Sequence, residues 1–204
     1  MPTAPRPSQV PSLEALAPVL ENLTHGERLA WAYGLDEREQ LALYALAEGR
    51  ELHVDALVGQ AGDVLVFPGR NGLPAFNRFQ KRFARVGGEV VGYNHNDTLG
   101  GPLNFIVRRL IGPGHFVAYD GPDGDGVWID YRRIPGERHP AFPPLVDNDH
   151  GVRALVFGNM VDVLREASPH VLIGNAYKDK GPASTWLAAI GSRLPTAPFV
   201  LVRP

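Results

Sequence analysis

Cysteine is absent from this 204-residue chain. That excludes disulfide scaffolds, thiolate zinc sites, iron–sulfur clusters and cysteine nucleophiles together. The sequence also lacks any run approaching the ~18 apolar residues of a spanning helix, so no membrane span is expected. Its first residues, Met1-Pro2-Thr3-Ala4-Pro5-Arg6-Pro7, have no apolar signal core, and a cytoplasmic location is the default expectation. An excess of one charge is missing too. Twenty basic and 22 acidic side chains leave a net charge of −2, which gives no footprint for nucleic acid or anionic membranes. There is no Gly-x-Ser-x-Gly elbow. Gly69-Arg70-Asn71-Gly72 lacks the lysine and hydroxyl of a phosphate loop and reads as a turn. No cofactor and no metal site is expected.

What is present is ordinary globular material cut by many breakers. The hydrophobic share of 44% and charged share of 21% suit a soluble domain, and 19 prolines and 23 glycines fall between apolar runs rather than replacing them. Residues 1–11 hold four prolines and read as a flexible tail, with residues 12–204 forming a single domain.

The pattern then gives element by element expectations. Residues 12–23 read as a short or kinked helix, with Leu13, Leu16 and Leu20 at helical spacing and Pro18 inside. Asp36 to Glu48 is a helix with a box-like start at Asp36 and Glu39 and a stop at Gly49. Leu73 to Val86 reads as a helix with Phe76, Phe79 and Phe83 on one face and Arg78, Lys81, Arg82 and Arg85 on the rest. Strands are expected at Val64 to Phe67, Glu89 to His95, His115 to Asp120 and Val127 to Ile134. The glycine-rich turn 121–126 makes the last two a hairpin. Leu103 to Ile111 fits strand or helix. Gly151 to Ala167 reads as a helix, and His170 to Lys178 and Phe199 to Arg203 as strands. The sum is an α+β domain whose antiparallel sheet curls into a barrel or half-barrel with flanking helices.

Several constellations carry chemistry. Tyr93 and His95 share a face at a strand end, where sites are often built. On Val127 to Ile134, Trp128, Asp130 and Arg132 share a face. If that face is inward it holds a buried ion pair, and if outward it is a solvated surface. Asn159, within an apolar stripe, either locks the expected helix to the sheet or faces a ligand. His115 and His170 read as structural, and Asp147, Asp149 and His150 as a loop capping the following helix rather than a metal site.

The stretches Asn159 to Arg165, Val171-Leu172-Ile173-Gly174-Asn175-Ala176 and Phe199-Val200-Leu201-Val202-Arg203 resemble the end of bacterial lipocalin-like domains of the GXWXG type. In those domains an aspartate-bearing stretch leads to a glycine-bearing strand, and the final strand ends in arginine. The signature itself is missing; Ala30-Trp31-Ala32-Tyr33-Gly34 lacks its first glycine. The resemblance implies a lipocalin-like barrel around an apolar molecule. The first functional reading is therefore a module binding a small, largely apolar ligand through Tyr93, His95, Phe116, Trp128, Asp130, Arg132, Asn159, Asn175 and Tyr177. The alternative is a general acid/base isomerase, cyclase or hydrolase in the same pocket, carried by His95, Asp130, Arg132 and His115.

Overall fold

A computed structural model describes residues 4–72, 77–96, 112–124, 126–178 and 196–204. Eight strands close into an antiparallel barrel in up-and-down order: β1 (Leu65–Asn71), β2 (Arg78–Val86), β3 (Glu89–Asn96), β4 (Gly114–Asp120), β5 (Val127–Asp130), β6 (Met160–Ser168), β7 (Val171–Lys178) and β8 (Thr196–Val202). The final strand pairs back onto the first, with Gly69 opposite Leu201 and Asn71 opposite Phe199. The expected curled sheet is thus a full barrel. Three helices precede it, α1 (Leu13–Asn22), α2 (His25–Tyr33) and α3 (Glu37–Leu46), and a short α4 (Gly151–Val156) precedes β6. No described helix is long and apolar enough to cross a membrane.

The helices form where caps and an apolar stripe coincide. Thr24 and Glu27 make a reciprocal capping box on α2, and Asp36 Oδ1 accepts from the Glu39 amide to start α3. The Glu39 carboxylate turns elsewhere, accepting from Ser8 N at 2.9 Å and Ser8 Oγ at 2.6 Å. Trp31 Nε1 donates to Pro5 O at 3.1 Å, so the proline-rich residues 5–9 lie against α2 and α3. Leu13, Leu16 and Leu20 of α1 join Leu35 and Leu43 in a cluster over Ala167, Val171, Ile173, Val200 and Val202. That cluster covers the outer face of β6, β7 and β8. A second apolar cluster, with Phe67, Phe83, Phe116, Tyr131, Leu164, Phe199 and Leu201, fills the barrel. These strands are apolar on both faces because both are covered.

Two glycines make that filling possible. A Cβ on Gly92 would come within 2.4 Å of the Phe116 ring, and one on Gly174 within 2.2 Å of the Phe199 ring. Each ring reaches over backbone that carries no side chain.

Two expected helices are corrected. Residues 78–86 are strand β2, because Phe79, Lys81 and Phe83 share the inner face at spacing two, although Phe79 and Phe83 also fit a helix. The supposed basic helix face is thereby split. Lys81 points inward, Arg85 pairs with Asp55 outside, and Arg78 lies over the Tyr33 ring at 4.6 Å. Helix α4 ends at Val156, and residues 160–168 are β6. Asn159 stands at the junction with φ 54°, a left-handed conformation that breaks the helix. Gly69 to Asn71 belong to β1 instead of a turn, since Gly69 lies against Leu201 with no room for a Cβ. The β4–β5 hairpin forms as expected, closed by Gly121 N to Gly126 O at 2.8 Å. Leu73 to Phe76, Asp97 to Ile111 and Asp125 lie outside the described residues, as does the expected element at Leu103 to Ile111.

The barrel ends differ. At one end, β2–β3 and β6–β7 turn through two residues each, and the 3-10 turn Val54–Leu57 caps the opening through Val54 N to Asp120 Oδ1 at 2.7 Å. The connections after β3, β5 and β7 all attach at the other end and span residues 97–113, 131–159 and 179–195. Barrel ends that carry long connections are where sites are built.

Candidate functional site

Near the end that carries the long connections the apolar interior gives way to a polar cluster. β2 places Lys81 inward between Phe79 and Phe83, and β6 places Asp162 inward between Met160 and Leu164. Lys81 Nζ lies 2.7 Å from Asp162 Oδ2, and the two side chains are only 1% and 2% exposed. Lys81 also donates to Asn94 Oδ1 at 3.0 Å and to the Tyr131 hydroxyl. Tyr131 OH in turn donates to Asp162 Oδ2 at 3.2 Å. The rings of Phe199, Tyr131, Phe116 and Phe79 surround the ammonium, with centroids 4.7 to 5.6 Å away.

Burial sets the protonation chemistry here. Desolvation pushes the Lys81 ammonium below its ordinary range, and the Asp162 charge and hydrogen bond work against that push. Desolvation, then the neighbouring Asp162 charge, hold the Tyr131 phenol well above its ordinary range, so it stays neutral and donates. Asp162 Oδ1 is buried and has no hydrogen-bond partner, whereas Oδ2 has two. One cell further toward the rim stands Lys178, whose position in β7 opposes Met160 while Ala176 opposes Asp162. Burial lowers its pKa to about 8, with Asp162 opposing the shift.

Among the described residues, two depressions flank this cluster. A groove of about 560 Å³ runs over β5, β6 and β7, lined by Trp128, Arg132, Asn159, Val161, Val163, Tyr177 and Lys178. A smaller one of about 380 Å³ is bordered by Tyr93, Asn94, His95 and the segment Ala141–Pro143, with Gly112 and Pro113. Each borders one residue of the interior network. Lys178 lines the larger groove beside Asp162, and Asn94 lines the smaller while holding Lys81.

The residues singled out from the sequence fall in four places. Trp128, Arg132, Asn159 and Tyr177 share the larger groove. Tyr93 and His95 border the smaller, with Tyr93 against Phe142 at 5.0 Å between ring centroids. Phe116 alone points into the barrel core. Asp130 and Asn175 are buried on the outer face beside the larger groove, where Asn175 Nδ2 meets Tyr177 OH at 3.4 Å. The face carrying Trp128 and Asp130 is therefore the outer one, since Val127 and Ile129 take the inner positions. β5 ends at Asp130, and Arg132 folds back on it through Nε–Oδ1 at 2.8 Å and Nη2–Oδ2 at 2.9 Å. Burial raises the Asp130 pKa, but hydrogen bonds from Arg132 and Tyr119 outweigh it, and the carboxyl ends below its ordinary range. That arrangement suits a fixed ion pair, not a general base. His115 meets Pro144 O at 3.1 Å, and Asn148 bridges His115 O and Tyr131 O at 2.7 and 2.8 Å, so both tie the long 131–150 loop to the barrel. Asp147 accepts from Asp149 N at 2.8 Å and sits 2.9 Å from the exposed His150 just ahead of α4.

Lys81, Asn94, Tyr131, Asp162 and Lys178 escaped the sequence reading. A signal did exist. A lysine flanked at spacing two by Phe79 and Phe83, and an aspartate so flanked by Met160 and Leu164, are charges on apolar strand faces. Both lie in segments whose apolar spacing also fits a helix, where a separation of two carries no meaning.

No protein family, curated protein or solved structure matches the chain.

Proposed function

We propose that this protein is a lipocalin-like binding module that holds a small, largely apolar molecule in the groove over β5, β6 and β7. The observation that carries the reading is the groove itself. Its volume of about 560 Å³ lies in the range of small-molecule sites, its floor is Val161 and Val163, and Trp128 and Tyr177 flank it. Tyr177, at 41% exposure, is among the few large apolar side chains left open on the described surface. Aromatic side chains with one polar tip bind apolar bodies while keeping a hydrogen-bonding handle. Up-and-down eight-stranded barrels commonly carry small ligands, and here rings fill the described core, which favours the rim and outer wall.

Native mass spectrometry of the protein purified from its own host tests this. A retained molecule that is lost in Val163→Glu, with the fold intact by circular dichroism, is the expected result. No retained molecule, together with no saturable quenching of Trp128 by aromatic probes, overturns it.

The acid/base reading is favoured by one feature, a partly buried Lys178 that lines the groove and interacts with the charge of the interior Asp162. A lysine that titrates near pH 8 can take and return a proton near neutrality. Turnover of any groove ligand, lost in Lys178→Met while binding persists, would move this reading ahead of simple binding.

A further inference from the structure

The groove over β5, β6 and β7 differs between its wall and its rim. Trp128, Val161, Val163 and Tyr177 form the wall, and strand register sets their order: Trp128 pairs with Val163, and Val161 pairs with Tyr177. The polar lining residues gather at the barrel end that carries the long connections. β5 ends at Asp130, β6 begins at Met160 and β7 ends at Lys178. Arg132 just past β5, Asn159 just ahead of β6 and Lys178 at the end of β7 therefore stand at one rim. Among the described residues, no carboxylate lines the groove. An apolar wall thus rises to an edge with two cations and an amide. Asp130 is buried and takes two of the five N–H groups of the Arg132 guanidinium, at Nε and Nη2. That grip fixes the guanidinium plane, while 41% of the Arg132 side chain stays open to solvent. A guanidinium held this way loses little freedom when a second oxyanion approaches, and it sheds water more readily than an ammonium. The chain's net charge of −2 does not draw anions to the protein as a whole, so a preference for one must arise locally.

We propose that the groove's ligand is an amphipathic anion, with an apolar body lying on Val161, Val163, Trp128 and Tyr177 and one terminal carboxylate held at the rim by Arg132 and Lys178. This rests on the groove reading above and specifies its ligand class. Asp130 serves as a positioning residue, because it orients the guanidinium without lining the groove. A neutral molecule of the same shape gains the apolar contacts alone.

Three probes of similar shape test the idea by titration calorimetry at pH 7: 2-naphthylacetate, 2-naphthylacetamide and 2-(2-naphthyl)ethylamine, with an anionic, a neutral and a cationic head. The anion is expected to bind roughly tenfold tighter than the amide, and the cation more weakly than either. The preference should fall in Lys178→Gln, and also in Asp130→Asn/Arg132→Gln, which removes the guanidinium without stranding a buried carboxylate. The amide should bind both variants as it binds the wild type. Arg85→Gln removes a basic side chain outside the barrel on β2 and should leave the preference intact. Three results would overturn the anionic assignment and leave the groove standing, provided that Val163→Glu still loses binding: equal affinities for anion and amide, a preference that survives both rim variants, or one that falls as far in Arg85→Gln. A retained host molecule with no acidic group does the same. If no probe binds, or Val163→Glu binds as well as the wild type, the groove reading and this one fall together.

Discussion

Lys81 of β2 and Asp162 of β6 meet inside the barrel with Nζ and Oδ2 2.7 Å apart, and neither strand is a sheet neighbour of the other. The pair spans the closed barrel, not an edge of the ladder. Two desolvated charges hold only if each keeps its partner.

Removing one partner is therefore far worse than removing both. Lys81→Met should cost about 3–5 kcal/mol, because it strands a buried carboxylate. Lys81→Met/Asp162→Leu should recover most of that loss. Urea unfolding of the two variants checks this. A double variant as unstable as the single one would show that the pair's geometry, and not its charge balance, holds the barrel.

The Gly174 and Phe199 pair makes a second test. With a Cβ 2.2 Å from the ring, Gly174→Ala should destabilise the fold by about 1–3 kcal/mol through overpacking. Gly174→Ala/Phe199→Leu should be less unstable than the sum of its two single changes, since the smaller side chain vacates the space the methyl needs. Thermal unfolding of all three variants closes the cycle, and strict additivity would refute the contact.

Asn159 holds φ at 54° where α4 gives way to β6. Asn159→Gly should leave stability near wild type, and Asn159→Val should cost about 1–2 kcal/mol, because a branched side chain is disfavoured in the left-handed region. If denaturation midpoints rank valine at or above glycine, the backbone conformation is not what selects asparagine there.

Lys178 gives a pH signature. Its folded pKa of about 8 lies below its ordinary 10.5, so between those values the unfolded chain binds more protons than the folded one. Stability of the wild type relative to Lys178→Met should thus rise as pH increases from about 8 toward 10.5 and level off above. Below pH 8 the relative stability should stay flat at its lowest value. Denaturation midpoints across the alkaline range measure it, and a difference that falls with pH would mean the ammonium is favoured by folding.

Much of the architecture was legible in the chain. The helical spacing of Leu13, Leu16 and Leu20 in α1, the Asp36 cap of α3 and the glycine turn 121–126 are local signals. They worked because helix periodicity, capping and positive φ act within a few residues, and α1 runs through Pro18 to Asn22. The strand at Val171–Lys178 was likewise clear from its length and β-rich composition. Phe79 and Phe83 misled because a separation of four fits both a helix face and a strand face, and residues 160–168 misled because their apolar stripe satisfies both periods.

The sequence by itself determined the chemistry on offer: no thiols, balanced charge, and apolar segments fenced by glycine and proline that must bury themselves in an antiparallel sheet. It did not determine which side of that sheet is inside. α1, α2 and α3 cover the outer face of β6, β7 and β8 while rings fill the inner face, so both faces are apolar and alternation carries no label. Only closure of β8 onto β1 decided that Trp128 and Tyr177 look outward to a groove while Lys81 and Asp162 look inward to each other. That partition depends on strand pairings between residues far apart in sequence, and local preferences have no access to it.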